Sequence, residues 1–536
     1  MIALLITALA CARIASTYSV FSATYDEGAH VAAGLQWLDR GQYSYDRSHP
    51  PFARILMAAG PYLDGIRSTG GGTMLAEGRA VLYERGQYQR TLRLARMGIL
   101  PFFVVGALAL WLWARLLVGP VAGALALAVF SSTPVVLGHS GVATTDAPLL
   151  GMLAVLLYVA TRWLATRTPV ITTALGVTAG LALATKFSAL PFAMVAAGLV
   201  VVVYLWWMRR GAGGSAHPRD AERTGLAVPM SAIRSLLVVA AAASWVVFAV
   251  YRFHFGRVAG LLIPAPGFVQ GLRLLAEHNR VGQVTYLLGE TRSDGFLAFF
   301  PVALAVKTPL TVLLLGFSGL WIVTGRAWRT RELRAIVPTA FFVAVMGVAM
   351  SARIDLGVRH ILPVYLALSL GAGAALHALW KAPKHRVAAR AAGVVLGGLL
   401  AVESATAHPD YLAYFNLLGG KEPERILVDS DLDWGQDLVR LHAVLHERGI
   451  TEVAINDLTS DDVAVPCIPT AVSWGFRDRP TGWVVIGVTP LRRGAAIIRN
   501  GEWTLLPDAY SWLRTQRPVA RIGRSLLLYY IDDDGS

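Results

Sequence analysis

The chain has 536 residues, of which 55% are hydrophobic and only 15% are charged. An ordinary soluble domain carries roughly 25% charged residues, so this composition excludes a disordered chain and indicates a membrane protein. The net charge of +14 would suit nucleic acid, anionic lipid or the cytoplasmic loops of a membrane protein. Neither Cys11 nor Cys467 has a CxxC partner, which argues against a disulfide framework and a structural zinc site.

Apolar runs long enough to cross a bilayer occupy most of the chain before residue 406. A spanning helix needs about 20 mostly apolar residues, and we find about eleven such runs. The runs lie at residues 2–22, 98–118, 120–138, 147–165, 169–189, 190–208, 234–251, 296–323, 335–351, 360–380 and 391–405. The first run lacks the basic start and the cleavage site of a signal peptide, so we expect it to be retained.

Basic residues indicate how these spans are oriented. Lys and Arg are clustered in four short connections, near residues 162–167, 209–223, 326–334 and 381–390. The positive-inside rule places all four in the cytoplasm, and eleven spans satisfy it if the N-terminus is also cytoplasmic. We therefore predict a transmembrane module over residues 1–405, with a large exported loop over residues 23–97.

Residues 406–536 contain no further span and indicate a small exported α/β domain. The strand candidates are residues 426–428, 452–455, 483–488 and 525–531. Asp433 suits the N-cap of a helix whose apolar stripe is Leu438, Leu441 and Leu445. The predicted fold class is thus mainly α: a polytopic helical membrane protein with a C-terminal α/β extramembrane domain.

Acidic residues and one histidine lie at predicted external helix ends. Asp26 and Glu27 follow the first span, where a carboxylate beside apolar walls is a candidate general base or simply a favourable first-turn acid. Asp146 precedes Ala-Pro at the start of a span; it could bind a cation with Asp26, orient a sugar hydroxyl or cap the helix. His49 is followed by two prolines that hold it rigidly, or it lies in an ordinary turn.

Cations lie at other external helix ends. Lys186 falls within an apolar run, which is costly unless it faces a cavity or an anion, or reaches the interface. Arg359 and His360 begin a span, where a guanidinium suits phosphate binding or anchors the helix. A base on one side and cations on the other describe a site for a lipid phosphate that carries an activated sugar.

Several other functions lack support in the sequence. The GxxxxGK[ST], HExxH and GxSxG motifs are absent, and basic residues are not interleaved with aromatics on a soluble face, so nucleic acid is excluded as a partner. The acids at 429–433 lack the glycine and glutamate of a calcium loop, which favours a helix cap. A transporter or lipid-handling protein without catalysis is the alternative, and it should show inverted repeats and midplane charges.

The order of these motifs resembles the polytopic C-type-fold glycosyltransferases, in particular the branch of protein O-mannosyltransferases (family 39) and lipid A aminoarabinose transferases. The segments that carry the resemblance are Asp26-Glu27, Gly41-Gln42-Tyr43, His49-Pro50-Pro51, Thr145-Asp146, Ala184-Thr185-Lys186 and Arg359-His360-Ile361-Leu362-Pro363. Residues 408–416 and the motif DLDWGQD at 431–437 resemble uncharacterised bacterial members of that branch. The resemblance covers roughly residues 20–440.

The resemblance implies an inverting transfer of a sugar from a polyprenyl-phosphate donor to a hydroxyl of a lipid, glycan or protein acceptor. The reaction would take place at the outer face of a bacterial inner membrane, with Asp26 as the general base. The predicted site comprises two catalytic acids, three donor-phosphate ligands and two supporting residues: Asp26 and Glu27; Lys186, Arg359 and His360; His49 and Asp146. In some relatives the acid that matches Asp146 contacts a metal. The resemblance therefore leaves open whether the protein uses a divalent cation, and the sequence requires none.

Overall fold

The computed structural model describes residues 1–70, 72–84, 86–211, 230–383, 385–456 and 471–533. Cys467, Lys384 and most of the second basic connection lie outside the described residues. The chain is mainly helical, and a small mixed sheet lies near its C-terminal end. The predicted fold class is therefore confirmed.

Every apolar run that was predicted to span the membrane is helical in the structure. The corresponding helices are Ile2–Ser16, Leu100–Leu117, Pro120–Phe130, Asp146–Ala165, Pro169–Thr185, Ala189–Gly211, Met230–Val250, Leu310–Thr330, Val337–Met350, Val364–Lys381 and Arg386–Thr406. Among the described residues, seven helices are long and apolar enough to cross a membrane, against about eleven predicted spans. The helices Ile2–Ser16, Pro120–Phe130 and Pro169–Thr185 are apolar but have only 10–17 residues.

Two departures from the predicted spans have local causes. The first helix ends at Ser16 and not near residue 22, because the Arg96 guanidinium takes the carbonyls of residues 18, 21 and 22 as acceptors. The run at 296–323 is divided into helices Phe299–Lys307 and Leu310–Thr330. Pro309 lies between them, and it has no amide hydrogen and disfavours a helical residue before it.

Shorter elements connect the long helices. The connecting helices are Glu27–Arg40, Phe52–Leu63, Met74–Arg79, Tyr88–Met97, Pro134–His139 and Pro266–Val281. Two hairpins pair Phe255–Val258 with Leu261–Pro264 and Thr285–Leu287 with Glu290–Arg292. The helix Glu27–Arg40 packs on Phe52–Leu63, so the loop after the first helix folds back as a layer that holds several site residues.

Helix packing in the membrane region depends on small residues. The backbones of Gly319 and Gly371 meet where helices Leu310–Thr330 and Val364–Lys381 cross, so that a Cβ on Gly319 would overlap the Gly371 backbone. In lipid, helices associate through such close backbone approach, since apolar burial supplies little net gain there. This contact fixes the helix that follows Arg359 in the chain.

The C-terminal sheet has five strands in the order Ala520–Ile522, Leu526–Ile531, Gly482–Gly487, Val453–Asn456 and Ala471–Ser473. The last three strands run parallel, and the first two are antiparallel additions. The predicted leucine stripe lies on helix Leu438–Glu447, and it packs on one face of the sheet. A separate hairpin pairs Ala495–Arg499 with Glu502–Leu506.

Two predictions for this region are wrong. Residues 426–428 do not form a strand, because they follow the 3-10 turn Pro423–Arg425 and exchange only a single bond with the neighbouring hairpin, from the Leu288 amide to the Ile426 carbonyl. Asp433 does not cap the helix, which begins after Asp437. The Asp433 carboxylate instead accepts a hydrogen bond from the Thr489 amide at 2.9 Å.

Candidate active site

Asp26 and Arg359 form an ion pair in the structure. Asp26 directly precedes helix Glu27–Arg40, and the Arg359 guanidinium donates to its carboxylate at 2.7 Å. The Asp26 side chain is 29% exposed and that of Arg359 is 10% exposed. Burial opposes the charge on Arg359, but the carboxylates of Asp26 and Asp146 outweigh it and raise the pKa of Arg359.

A second ion pair joins Asp146 and Lys186. Asp146 is the first residue of helix Asp146–Ala165, and Lys186 directly follows helix Pro169–Thr185. The Lys186 ammonium donates to the Asp146 carboxylate at 2.5 Å, and Asp146 is 2% exposed. The two ion pairs are neighbours, as the electrostatic interaction between Asp146 and Arg359 shows.

His360 lies beside these charges without an ion pair of its own among the described contacts. Its ring stacks on Phe300 with centroids 6.3 Å apart, and it interacts electrostatically with Lys186, Arg359 and Asp146. The three predicted phosphate ligands are therefore brought together, although they come from two distant parts of the chain.

Glu27 has a different environment from Asp26. It is completely buried, and both of its oxygens accept hydrogen bonds at 2.8 Å from the Arg96 guanidinium. The carboxylate also accepts from the amides of Thr24 and Ala143. Glu27 therefore joins three segments of the chain.

His49 is half-buried and belongs to a polar cluster on the layer that follows the first helix. Its Nδ1 atom lies 3.2 Å from the Asp46 carboxylate, which also pairs with the Arg54 guanidinium. Arg54 in turn donates to Nδ1 of His30 at 2.9 Å. Burial opposes the charge on Asp46, but the His49 hydrogen bond and Arg54 together keep the pKa of Asp46 well below its usual value.

Two further residues at the site were not singled out from the sequence. Arg96 resembles an interfacial anchor at the edge of an apolar run, and nothing in the sequence points to Glu27 as its partner. Trp434 lies within the quoted DLDWGQD motif, and its ring faces the Arg359 guanidinium, 4.3 Å from the Cζ atom to the ring centroid. The resemblance of this motif to a known family pointed to the segment, but the spacing of its residues did not indicate the contact between Trp434 and Arg359.

The described residues contain no group of three or more His, Cys, Asp or Glu side chains arranged to hold a metal ion. The acids of the site are instead paired with cations. An apolar helical bundle whose carboxylates and cations meet at helix ends is typical of a polytopic membrane protein with a polar site at one end of its helices.

Comparison with known proteins indicates which kind of membrane protein the chain resembles. Residues 4–255, slightly less than half of the chain, match the model of the family described as dolichyl-phosphate-mannose-protein mannosyltransferase. The match confirms the resemblance to this branch of polytopic membrane glycosyltransferases. A comparison with curated proteins found no match.

Two solved structures are among those to which the chain is similar. The chain is similar to ArnT from Cupriavidus metallidurans bound to undecaprenyl phosphate, at 15% identity and a TM-score of 0.47, over 98% of this chain and 97% of that one. It is also similar to the Archaeoglobus fulgidus oligosaccharyltransferase AglB in complex with an inhibitory peptide and a dolichol-phosphate. There the identity is 12% and the TM-score 0.46, over 91% of this chain and 69% of that one.

Proposed function

We propose that the protein is an inverting glycosyltransferase that moves a sugar from a polyprenyl-phosphate donor to an acceptor hydroxyl at the outer face of a bacterial inner membrane. One observation carries the proposal: the acids and cations at separate helix ends meet as two neighbouring ion pairs, Asp26 with Arg359 and Asp146 with Lys186. The family match over residues 4–255 supports a lipid-phosphate donor. A transporter without catalysis would place such charges near the bilayer midplane, whereas these lie at helix ends.

Asp26 is the proposed general base. Its partly exposed carboxylate is accessible to an acceptor hydroxyl, and it takes the hydroxyl proton as the oxygen attacks the anomeric carbon. The new bond forms on the face opposite the phosphate, while the bond from that carbon to the phosphate oxygen breaks. The electron pair leaves with the polyprenyl phosphate, so the configuration at the anomeric carbon is inverted.

Arg359 and Lys186 are the proposed ligands of the departing phosphate, with His360 beside them. Their charges stabilise the negative charge that develops on the leaving group, and a guanidinium can bind two phosphate oxygens at once. Both cations are paired with carboxylates in the structure. A donor phosphate must therefore loosen these pairs, which frees Asp26 when the donor is in place.

Glu27 and His49 have proposed supporting roles. Glu27 holds the segment that carries Asp26 against Arg96 and against the amide of Ala143, three residues before Asp146. His49 lies in the Asp46–Arg54 cluster and interacts electrostatically with Lys186. Glu27 thus links the segment of Asp26 to the segment of Asp146, and His49 lies close enough to Lys186 to influence its charge.

The test uses purified protein in proteoliposomes with a panel of polyprenyl-phosphate sugars and an extract of cell-envelope lipids and glycans as acceptors. We expect one donor to be consumed, with release of polyprenyl phosphate. Arg359→Gln should weaken use of that donor at least tenfold, since charge-assisted phosphate contacts contribute roughly twice as much as neutral ones. Arg353→Gln, which alters an exposed arginine six residues earlier, should behave like the unmodified protein. Failure of every donor, or equal donor use by both variants, would overturn the proposal.

A further inference from the structure

The DLDWGQD segment, residues 431–437, is buried inside the molecule. Asp431, Asp433, Trp434 and Gln436 are each at most 3% exposed. Burying carboxylates and amides is costly unless they are hydrogen-bonded, so such a segment persists only where its partners are fixed. Its contacts therefore show what it holds in place.

One set of contacts reaches the backbone that carries Asp26. The Tyr25 amide donates to the Trp434 carbonyl at 3.1 Å, and the Ser22 amide donates to the Gln436 carbonyl at 3.0 Å. The Ser22 hydroxyl also donates to the Gly435 carbonyl at 2.9 Å. The segment is thus bonded to the residue immediately before Asp26.

A second set of contacts reaches Arg359. The Trp434 ring covers the guanidinium, as described above, and the Val358 amide donates to the Asp431 carboxylate at 2.9 Å. The buried Lys307 ammonium donates to the Asp431 carbonyl. Gly357 adopts φ +109, and a Cβ there would press on the Ser430 hydroxyl, so the two segments fit closely.

We propose that Trp434 is a positioning residue for sugar transfer, an inference that rests on the proposed function. The Arg359 guanidinium carbon lies over the Trp434 ring, while Nη1 of the same guanidinium donates to Asp26. The ring thus holds the guanidinium from one side, where it can bind Asp26 or the donor phosphate. The Trp434 carbonyl fixes the backbone beside Asp26. The C-terminal part of the chain thereby sets the geometry between the base and the phosphate ligand without contacting the donor.

The test measures the affinity of purified protein for undecaprenyl phosphate, which requires neither an acceptor nor turnover. Trp434→Leu removes the aromatic face and should weaken binding about tenfold, while Trp434→Phe should weaken it only two- to threefold, as expected from the range of cation–π energies. Trp474→Leu is the matched control, because Trp474 is 5% exposed in the core of the C-terminal sheet. It should lower thermal stability but leave the affinity unchanged.

A double-mutant cycle separates positioning from mere packing, and it relies on the conservative variant in case Trp434→Leu fails to fold. If Trp434 acts through Arg359, Trp434→Phe should have no further effect on affinity in an Arg359→Gln background. Equal losses in both backgrounds, or no loss in either variant of Trp434, would overturn the inference while leaving the proposed function intact. Absence of binding by the unmodified protein would overturn both.

Discussion

At the scale of single residues, the site is built from pairs that are distant in the chain. Asp26 and Arg359 are 333 positions apart, and Glu27 and Arg96 are 69 positions apart. The sequence singled out residues that the structure brings together, because acids and cations beside apolar runs are costly and therefore informative. It could not predict their partners, since no local spacing encodes such contacts.

The Glu27–Arg96 pair provides a prediction about stability. Both side chains are at most 1% exposed, so Glu27→Gln leaves a buried guanidinium without its charge partner. Breaking a buried pair costs roughly 3–5 kcal/mol, and we expect a large drop in the unfolding temperature of the purified protein. The exposed pair of Glu290 and Arg292 supplies the control: Glu290→Gln should cost less than about 1 kcal/mol. Equal effects of the two variants would refute the structural role of Glu27.

His49 provides a prediction about pH. Burial, together with the charge of Arg54, lowers the pKa of His49 in the folded protein. As the pH falls through about 6.5, His49 therefore becomes protonated in the unfolded chain while it stays neutral in the folded chain. The contribution of neutral His49 to stability is present above about pH 6.5 and is lost as the pH falls below it. His49→Gln should therefore flatten the decline in unfolding temperature between about pH 7 and pH 5.5. His442→Gln, at an exposed position, should leave that decline as it is, and a similar flattening there would contradict the account.

At the scale of elements, helices were easier to predict than strands. All eleven apolar runs became helices, because in lipid the backbone can satisfy its hydrogen bonds only within the helix. Three of the four strand candidates were also found, but residues 426–428 were not. A short apolar run has no periodicity that distinguishes a strand from a buried turn, so its partners decide the outcome.

The crossing of helices Leu310–Thr330 and Val364–Lys381 gives a prediction about packing. Gly319→Ala places a methyl group against the Gly371 backbone and should destabilise the protein by about 1–3 kcal/mol. Gly325 lies in the same helix with nothing within 4 Å of an added Cβ. Gly325→Ala should therefore be neutral or slightly stabilising, since alanine favours the helix. Thermal unfolding of both purified variants is the measurement, and equal shifts would argue against the close approach.

At the scale of the whole molecule, composition alone indicated a membrane protein, and basic clusters then suggested its orientation. The burial of DLDWGQD and the contact of Trp434 with Arg359 both depend on the chain after residue 406 returning to the helices of the membrane region. The resemblance covers roughly residues 20–440 and so crosses the predicted domain boundary after residue 405, but only the structure brings the C-terminal segment to the residue before Asp26.

The predicted orientation can be tested by labelling single cysteines in a chain whose native cysteines are replaced by alanine. The exposed positions His446, in the C-terminal domain, and Arg329, in a basic connection, are suitable sites. Because the basic clusters are predicted to be cytoplasmic, H446C should react with a membrane-impermeant maleimide in intact cells. R329C should react only after the inner membrane is permeabilised, and labelling of both from the same side would contradict the orientation.

The central claim is that Asp26 is the base of a transfer from a lipid phosphate, and one variant tests it most directly. Asp26→Asn should abolish consumption of the preferred polyprenyl-phosphate sugar, while binding of undecaprenyl phosphate becomes equal or tighter because Arg359 loses its competing carboxylate. Asp39→Asn, a second acid at the far end of the same helix, serves as the control and should retain turnover. Near-normal consumption of the donor by a folded Asp26→Asn protein would contradict the account.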